Sequence, residues 1–268
     1  MGTMTRRLGL FAASAATAAA AAAAAPRPSP LPVSTSRGEF QVLVYAPPGV
    51  PPARGSTRPL VLLISGEGGW REFDVVLAGW LSEAGYWVGG VNIKPYFEDA
   101  QDDRKALSAD FRAYADALAG AAGAGREGGV VFVGFSFGAD LAPWIAGAGG
   151  WEKRLLGLVM IAPDETGSLE YRLREMLHFS PTHHIFSVRD ALDSAAAFPV
   201  LFLHGGADKV SAAPELARRP GGVKKLVAVP DANHHFRGHE PELRATLLDG
   251  IEWIAKAERA AAARRPRP

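Results

Sequence analysis

The chain has 268 residues, of which 48% are hydrophobic and 21% charged, a balance that favours one globular domain with a substantial core. Its 29 basic and 28 acidic side chains give a formal net charge of +1, so the overall charge gives no reason to expect nucleic-acid binding. Cysteine is absent, which excludes disulfides and thiolate metal sites.

The first 25 residues have the parts of an export signal. Arg6 and Arg7 form a basic start, Leu8 to Ala25 is an apolar run of mostly small residues, and alanines before Pro26 offer cleavage sites. Large aliphatic side chains are scarce in this run, so it is a poor membrane anchor. We expect a signal peptide at 1–25, of the Sec or twin-arginine type and cleaved near Ala25, and a periplasmic mature protein. An Ala-rich start of a cytosolic protein is the alternative.

A Pro- and Ser-rich segment at 26–37 predicts an extended linker before a domain over 38–258. Amphipathic helical patterns then alternate with apolar strands, which is typical of an α/β fold with a mostly parallel sheet and helices on both faces. The strands are predicted at Phe40–Tyr45, Leu60–Ile64, Tyr86–Ile93, Val130–Val133, Leu155–Ala162, Val200–Leu203 and Leu226–Val229.

Residues Asp164 to Ala197 interrupt the alternation with a mixture of polar and aromatic side chains. We expect an edge strand at Leu169–Leu173 and a small cap beside a fairly open pocket. Periodic apolar residues from Leu243 to Ile254 predict a closing helix. The basic residues 259–268 are expected to form a flexible tail.

Gly134-Phe135-Ser136-Phe137-Gly138 lies between a buried strand and an amphipathic helix, the context of a G-x-S-x-G nucleophile elbow. Gly134 and Gly138 suit a tight turn that leaves no room for side chains on either side of the serine. The turn would expose the Ser136 hydroxyl and leave the Phe137 N–H at a helix N-terminus, where it can bind an oxyanion. An ordinary strand–glycine–helix junction is the alternative.

A serine nucleophile needs a base, and the base needs an orienting carboxylate. In the α/β-hydrolase order the acid and then the histidine follow the serine. Asp208 ends a glycine turn after a buried strand, and His234 lies in the loop after the last strand. We therefore predict that Ser136, Asp208 and His234 form a catalytic triad. The weaker alternatives are His235 as the base, a turn role for Asp208, and Asp190, Asp193 or Asp231 as the acid.

The loop Ser65-Gly66-Glu67-Gly68-Gly69-Trp70 is rich in glycine, as suits a backbone that approaches a substrate. We predict that the Glu67 N–H is the second oxyanion donor, with Gly68 as the fallback. A phosphate-binding loop is the alternative, but the G-x-x-x-x-G-K-[ST] pattern is missing and the Glu67 carboxylate would repel an anion. Since that carboxylate also opposes an oxyanion, we hypothesise that it faces a cationic group of the substrate.

Three blocks together resemble the VirJ/AcvB family of bacterial virulence proteins: residues 65–70, Gly134 to Asp140 and His234 to Phe236. The block Lys94 to Phe97 fits less closely. The resemblance implies a periplasmic α/β-hydrolase and, as for characterised relatives, a hydrolase of lysyl-phosphatidylglycerol with links to type IV secretion. It also implies that Ser136 is the nucleophile, with Asp208 and His234 completing the triad.

The implied aminoacyl ester carries an ammonium group near the scissile carbonyl, for which Glu67 or Asp140 is a candidate counter-charge. Asp140 alternatively stabilises the N-terminus of the elbow helix. We expect a lipid-facing mouth bordered by aromatic residues, although such residues commonly belong to the core: Trp70, Tyr96, Phe97 and Trp144.

The leading interpretation is a periplasmic serine ester hydrolase that acts on a lipid or small-molecule ester at the membrane surface, without a cofactor, a metal or nucleic acid. A non-catalytic partner of a type IV secretion or other envelope machinery is the second hypothesis. A metal site made by His183-His184 with His234-His235 is the third. Adjacent histidines in a strand point to opposite faces, so each pair would supply one ligand at most.

Overall fold

A computed structural model describes residues 27–49, 58–125, 129–170 and 184–264. The predicted signal peptide lies outside these residues. The described ranges contain ten strands: β1 (Ser29–Thr35), β2 (Gly38–Tyr45), β3 (Leu60–Ile64), β4 (Val88–Val91), β5 (Val130–Phe135), β6 (Leu155–Ile161), β7 (Thr166–Ser168), β8 (Ile185–Ser187), β9 (Val200–Gly205) and β10 (Lys224–Val229).

Eight of these strands form one sheet in the order β1-β2-β4-β3-β5-β6-β9-β10. Strand β2 runs antiparallel to both of its neighbours, and the pairs from β4 to β10 are parallel. The carboxyl ends of β3, β5, β6, β9 and β10 therefore lie at one edge of the sheet, with β10 as an outer strand. In open sheets of this kind, that edge is where ligands bind.

Helices cover both faces of the sheet: α1 (Glu72–Glu83), α2 (Arg104–Ala121), α3 (Phe137–Ala146), α4 (Val188–Ser194), α5 (Ala213–Ala217) and α6 (Glu240–Arg264). Alternate residues of β3 point to opposite faces, so Leu62 belongs to the core cluster that includes residues of α2 and α3, while Leu63 belongs to the cluster that includes residues of α1 and α6. Burial on both faces explains why the strand is apolar throughout. Among the described residues, no helix has the length and apolarity needed to cross a bilayer.

The segment predicted as a linker is instead the strand β1, which pairs with β2 along its whole length. Val33 is 5% exposed and belongs to the core. Ser36, the residue directly after β1, donates from its N–H and its hydroxyl to Asp110 of α2, at 2.8 and 2.6 Å. The prolines in this segment are tolerated because β1 is an outer strand, where a missing N–H breaks no ladder between two neighbours.

The interrupted region holds a two-stranded antiparallel sheet, β7 with β8, followed by α4, which the sequence reading did not predict. Of the predicted edge strand at Leu169–Leu173, only Leu169 and Glu170 are described; they follow β7, which ends at Ser168, and lie outside any strand, whereas residues 171–183 lie outside the described ranges. The Leu169 N–H donates to the His184 carbonyl at 2.7 Å, which joins the two ends of this segment.

The predicted tail is also shorter than expected, because α6 continues from Glu240 to Arg264. The run Ala260 to Ala263 explains this, since alanine has the highest intrinsic helix propensity. Residues 265–268 lie outside the described ranges.

Candidate active site

The serine lies in a strained turn between β5 and α3. Ser136 has a φ of 51° and a ψ of −122°, a conformation that L-residues rarely adopt. A Cβ at Gly134 would lie 2.2 Å from the Gly138 carbonyl oxygen, and a Cβ at Gly138 would lie 2.3 Å from the Ile64 carbonyl oxygen. Both positions must therefore be glycine, because neighbouring backbone passes directly against the turn.

Asp208 and His234 meet at the ends of the neighbouring strands β9 and β10. Nδ1 of His234 lies 2.8 Å from Oδ2 of Asp208. Because an ionised carboxylate only accepts hydrogen bonds, Nδ1 carries the proton in this pair and Nε2 is left as the acceptor. The Asp208 side chain is 1% exposed and that of His234 23%, so the imidazole covers the carboxylate from solvent.

The two loops are also joined through their backbones. The Gly206 N–H donates to the Val229 carbonyl at 2.8 Å, and the Ala207 N–H donates to the Ala232 carbonyl at 2.9 Å. A Cβ at Gly205 would lie 2.5 Å from the Ala232 carbonyl oxygen, so glycine permits this close approach. The fully buried Phe236 anchors the other end of the histidine loop.

Hydrogen bonds keep the acid ionised. Burial by itself would raise the pKa of Asp208, but the N–H groups of Val210 and Ser211 and the His234 ring outweigh it and lower that pKa below its usual value. The Val210 N–H lies 2.9 Å from Oδ1, which leaves Oδ2 for the imidazole. The arrangement therefore stabilises the charged carboxylate that an orienting acid requires.

The other histidine of the pair has a different environment. His235 packs against the rings of Phe73 and Phe135, with centroid distances of 6.1 and 5.4 Å. Burial, and then the charges of His234 and Arg237, lower the pKa of His235. Its position away from Asp208 favours His234 as the partner of the acid.

The glycine-rich loop after β3 runs beside the elbow. The carbonyl oxygens of Ile64 and Ser65 lie against Gly138, and Gly66 lies against Phe135. The Ile93 N–H donates to the Ser65 hydroxyl at 3.2 Å, which ties the start of the loop to the end of β4. Two residues further along the loop, Glu67 lines the same cavities as the serine.

Two cavities share the predicted catalytic serine and base. One of about 280 Å³ and one of about 460 Å³ are both lined by Glu67, Ser136 and His234. Phe137, the first residue of α3, borders the larger cavity, and Gly68 borders the smaller one. A group bonded to Ser136 would therefore border both cavities.

The larger cavity, called here the acidic cavity, is lined by the carboxyl groups of Glu67, Asp140 and Asp164. Asp140 is 3% exposed and accepts a hydrogen bond from the Asp164 N–H at 2.8 Å. Burial raises the pKa of Asp140 well above its usual value; the Asp164 N–H opposes this, and the charges of Asp164 and Glu67 reinforce it. Such a cluster of acids suits a cationic group.

The smaller cavity, called here the arginine cavity, has a different lining. Arg71 and His235 line it, and so do Phe73 and Phe135, whose ring centroids are 4.6 Å apart. Asp74 also lines it, and burial raises the pKa of this carboxyl to about 6, despite a hydrogen bond from the Arg71 N–H that opposes the rise.

The predicted aromatic mouth is not found at these cavities. Tyr96 is 2% exposed, lies in the core and donates to Asp110 at 2.5 Å, so it is corrected to a structural residue. Trp70 packs over Gly90 and donates to the Tyr45 hydroxyl at 3.3 Å, outside the lining of either cavity. Phe97 is fully buried, and Trp144 stacks on Phe186. Spacing alone did not show which face these rings occupy.

The histidine pairs do not form a common cluster in the described part of the chain, where no group of three or more histidine and acidic residues is arranged to hold a metal ion. His184 bonds to Asp102 at 2.7 Å and so belongs to the cap, whereas His183 lies outside the described residues. His234 bonds to Asp208.

Sequence reasoning missed Asp164 and Arg71 as residues of the site. Asp164 could have been found, because it follows β6, the strand between β5 and β9, and must therefore lie between the serine and the acid. Arg71 carried no comparable signal, since its direction depends on the path of the glycine loop.

Comparisons with solved structures identify the architecture. Est1E from Butyrivibrio proteoclasticus superposes with a TM-score of 0.61 at 14% identity, over 86% of this chain and 99% of that one. The dienelactone hydrolase from Anabaena variabilis gives 0.60 at 19%, over 86% and 98%. XC6422 from Xanthomonas campestris, described as an α/β serine hydrolase without a lid, gives 0.55 at 22%, over 84% and 94%. The chain therefore has the α/β-hydrolase fold.

Among curated proteins, no sequence matches significantly. The profile of the bacterial virulence protein VirJ matches residues 59–255, a range that contains β3 to β10 and every residue of the two cavities. Because this match covers most of the chain, the protein belongs to the VirJ family.

Proposed function

We propose that the protein is a serine ester hydrolase whose substrate carries a positive charge on its acyl group, as the aminoacyl ester of lysyl-phosphatidylglycerol does. The observation that carries the proposal is the 2.8 Å contact between His234 and Asp208 in a site where His234 and Ser136 line the same two cavities. The α/β-hydrolase fold of the chain agrees with it.

In the proposed reaction the Ser136 oxygen attacks the ester carbonyl while Nε2 of His234 takes the hydroxyl proton. Asp208 stabilises the imidazolium that forms. The N–H groups of Phe137 and Glu67, or of Gly68 in place of Glu67, hold the oxyanion. The bond to the alcohol then breaks, His234 returns the proton to the alcohol oxygen, and water releases the acyl group by the same steps in reverse order.

The charge of the substrate is inferred from the acidic cavity. Glu67 and Asp164 supply negative charge at its wall, and Asp140 adds a buried carboxyl whose proton a cation would help to displace. An ammonium on the acyl group would lie within this cavity while the carbonyl lies at Ser136. A neutral acyl group would leave these carboxyl groups without a counter-charge.

The first experiment compares the wild type with Ser136→Ala. We expect a serine-directed phosphonate to label the wild type alone, and the variant to lose at least about 10³-fold in turnover. Lysyl-phosphatidylglycerol, alanyl-phosphatidylglycerol and a neutral aryl ester are tested as substrates, and we expect the lysyl ester to be preferred. An unlabelled, inactive wild type would favour the non-catalytic envelope partner instead.

We also propose export to the periplasm, on the basis of the basic and alanine-rich N-terminal sequence. There the enzyme would meet lipid esters at the membrane surface, and type IV secretion components are candidate partners. Loss of the N-terminal segment from the protein recovered in a periplasmic fraction is the expected result.

A further inference from the structure

The two residues predicted to supply the second oxyanion donor lie in one tight turn. The Gly69 N–H donates to the Gly66 carbonyl at 3.0 Å, so residues 66–69 form a β-turn with Glu67 and Gly68 at its two central positions. The N–H groups of the central residues take no part in the hydrogen bond that closes such a turn. They are therefore the groups of the turn that can bind a developing oxyanion.

The first half of the turn is held from the interior of the protein. The Gly66 carbonyl and the Glu67 N–H belong to one trans peptide, in which the two groups point in opposite directions. That carbonyl accepts from the Gly69 N–H and, at 3.3 Å, from the hydroxyl of Ser65, which is fully buried. The direction of the Glu67 N–H is thus set by the partners of the Gly66 carbonyl.

The second half of the turn depends on a side chain. The peptide between Gly68 and Gly69 meets little steric resistance to rotation, because neither residue has a Cβ. Its N–H closes the turn, and its carbonyl accepts from Nε of Arg71 at 2.8 Å. Rotation of this peptide would break both hydrogen bonds. Arg71 therefore stabilises the closed form of the turn at the point where the backbone is least restricted.

Arg71 is itself well fixed. It directly precedes α1, and its N–H donates to Oδ2 of the buried Asp74 at 2.8 Å. The Trp70 N–H donates to Oδ1 of Asn92 at 3.1 Å, which ties the residues between the turn and the helix to the chain after β4. Arg71 lines the arginine cavity together with Ser136, so its contact with the turn lies beside the serine.

We propose that Arg71 is a positioning residue for the oxyanion site: its Nε–H keeps the turn closed, and the closed turn presents its N–H groups to the oxygen that becomes negative when Ser136 attacks the ester. The inference rests on the proposed ester hydrolysis and adds a residue that touches neither the substrate nor the reacting atoms. No anion needs to contact the guanidinium, so the nearby carboxyl groups of Glu67 and Asp74 do not oppose this role. The effect belongs to the transition state, in which the oxygen carries charge, and not to substrate binding.

The test compares two variants that remove the charge and nearly keep the length of the side chain. Glutamine places an N–H donor at the position of Nε of Arg71, whereas methionine places a methyl group there. We expect Arg71→Met to lower kcat by about tenfold or more on the lysyl ester and on a neutral aryl ester, with KM within about twofold of the wild type. Arg71→Gln should retain most of kcat. The matched control is Arg218→Met, an exposed arginine paired with Glu215 outside both cavities, which should keep the wild-type kcat.

A second measurement reports on the transition state directly. A trifluoromethyl ketone with a lysyl side chain forms a tetrahedral adduct with a catalytic serine, and this adduct carries the oxyanion. Its affinity should fall in Arg71→Met by the same factor as kcat/KM, while the affinity for lysinol, which has no carbonyl group, should stay unchanged. Rates are expressed per serine that the phosphonate labels, so unfolded protein does not contribute to the comparison.

Three results would overturn the inference and leave the ester hydrolase intact. The first is an unchanged kcat in Arg71→Met. The second is an equal loss in Arg71→Gln and Arg71→Met, because it would assign the effect to the positive charge and not to the donor. The third is a higher KM at an unchanged kcat, which would place Arg71 in substrate binding. A wild type that is unlabelled and cleaves neither ester would remove the proposed function, and the positioning role with it.

Discussion

Asp140 combines two properties at the scale of one residue: its carboxyl is buried, and it lines a cavity beside Ser136. Its raised pKa means that the folded protein holds a proton which the unfolded chain releases at lower pH. Stability therefore decreases as the pH rises from about 3.8, the unfolded value, through the folded pKa. The acid at the reactive edge of the sheet is tolerated at the expense of stability, as is common for functional groups.

Asp140→Asn tests this description. Asparagine keeps an oxygen that can accept from the Asp164 N–H but does not ionise. We expect the variant to gain stability relative to the wild type as the pH is raised from 4 to 8, and to lose activity towards the lysyl ester more than towards a neutral one. Thermal unfolding across this pH range measures the first effect. A stability difference that stays constant with pH would contradict it.

At the scale of the element, the strand–turn–helix unit depends on backbone that touches backbone. Gly138 lies against the carbonyl groups of Ile64 and Ser65, so the turn that carries the serine also fixes the loop that carries Glu67. A change at Gly138 would therefore move the serine turn and the Glu67 loop together, although only the turn is adjacent to Gly138 in the sequence.

We therefore expect Gly138→Ala to lower the free energy of unfolding by about 1 to 3 kcal/mol or more, because its Cβ would lie 2.3 Å from a carbonyl oxygen. The control is Gly120→Ala in α2, where a Cβ meets nothing within 4 Å and alanine should add up to about 1 kcal/mol. Denaturant unfolding of both variants is the measurement. Equal stabilities for the two would show that the contact at the elbow relaxes without strain.

At the scale of the whole molecule, the sequence predicted what depends on buried strands. β3, β5 and the first four residues of β9 are apolar, so the ends of these runs, and the chemistry-bearing residues that follow them, could be found from the pattern. β1 could not, because proline and serine are typical of linkers, and the contact of Ser36 with Asp110 of α2 is not visible in the sequence. Tyr96 was misplaced for a related reason, since the sequence does not show that its hydroxyl donates to the same Asp110.

The position of Arg71 beside Ser136 was beyond the sequence for a geometric reason. Arg71 follows the glycine-rich loop after β3, and the direction of its side chain depends on the path of that loop. A pattern of residue types along the chain does not contain this path.

The proposed base, His234, follows β10, the outer strand of the sheet. Among the described strands β10 has a neighbour on one side only, and His234, five residues after the end of β10 at Val229, must keep its position to reach Asp208. Local unfolding of this edge would separate His234 from Asp208 while the interior of the sheet stays folded.

On gradual warming we expect esterase activity to decrease before tryptophan fluorescence changes, and the amides of β10 to exchange earlier than those of β5. Simultaneous loss of activity and of the native fluorescence would mean that β10 unfolds only together with the rest of the domain.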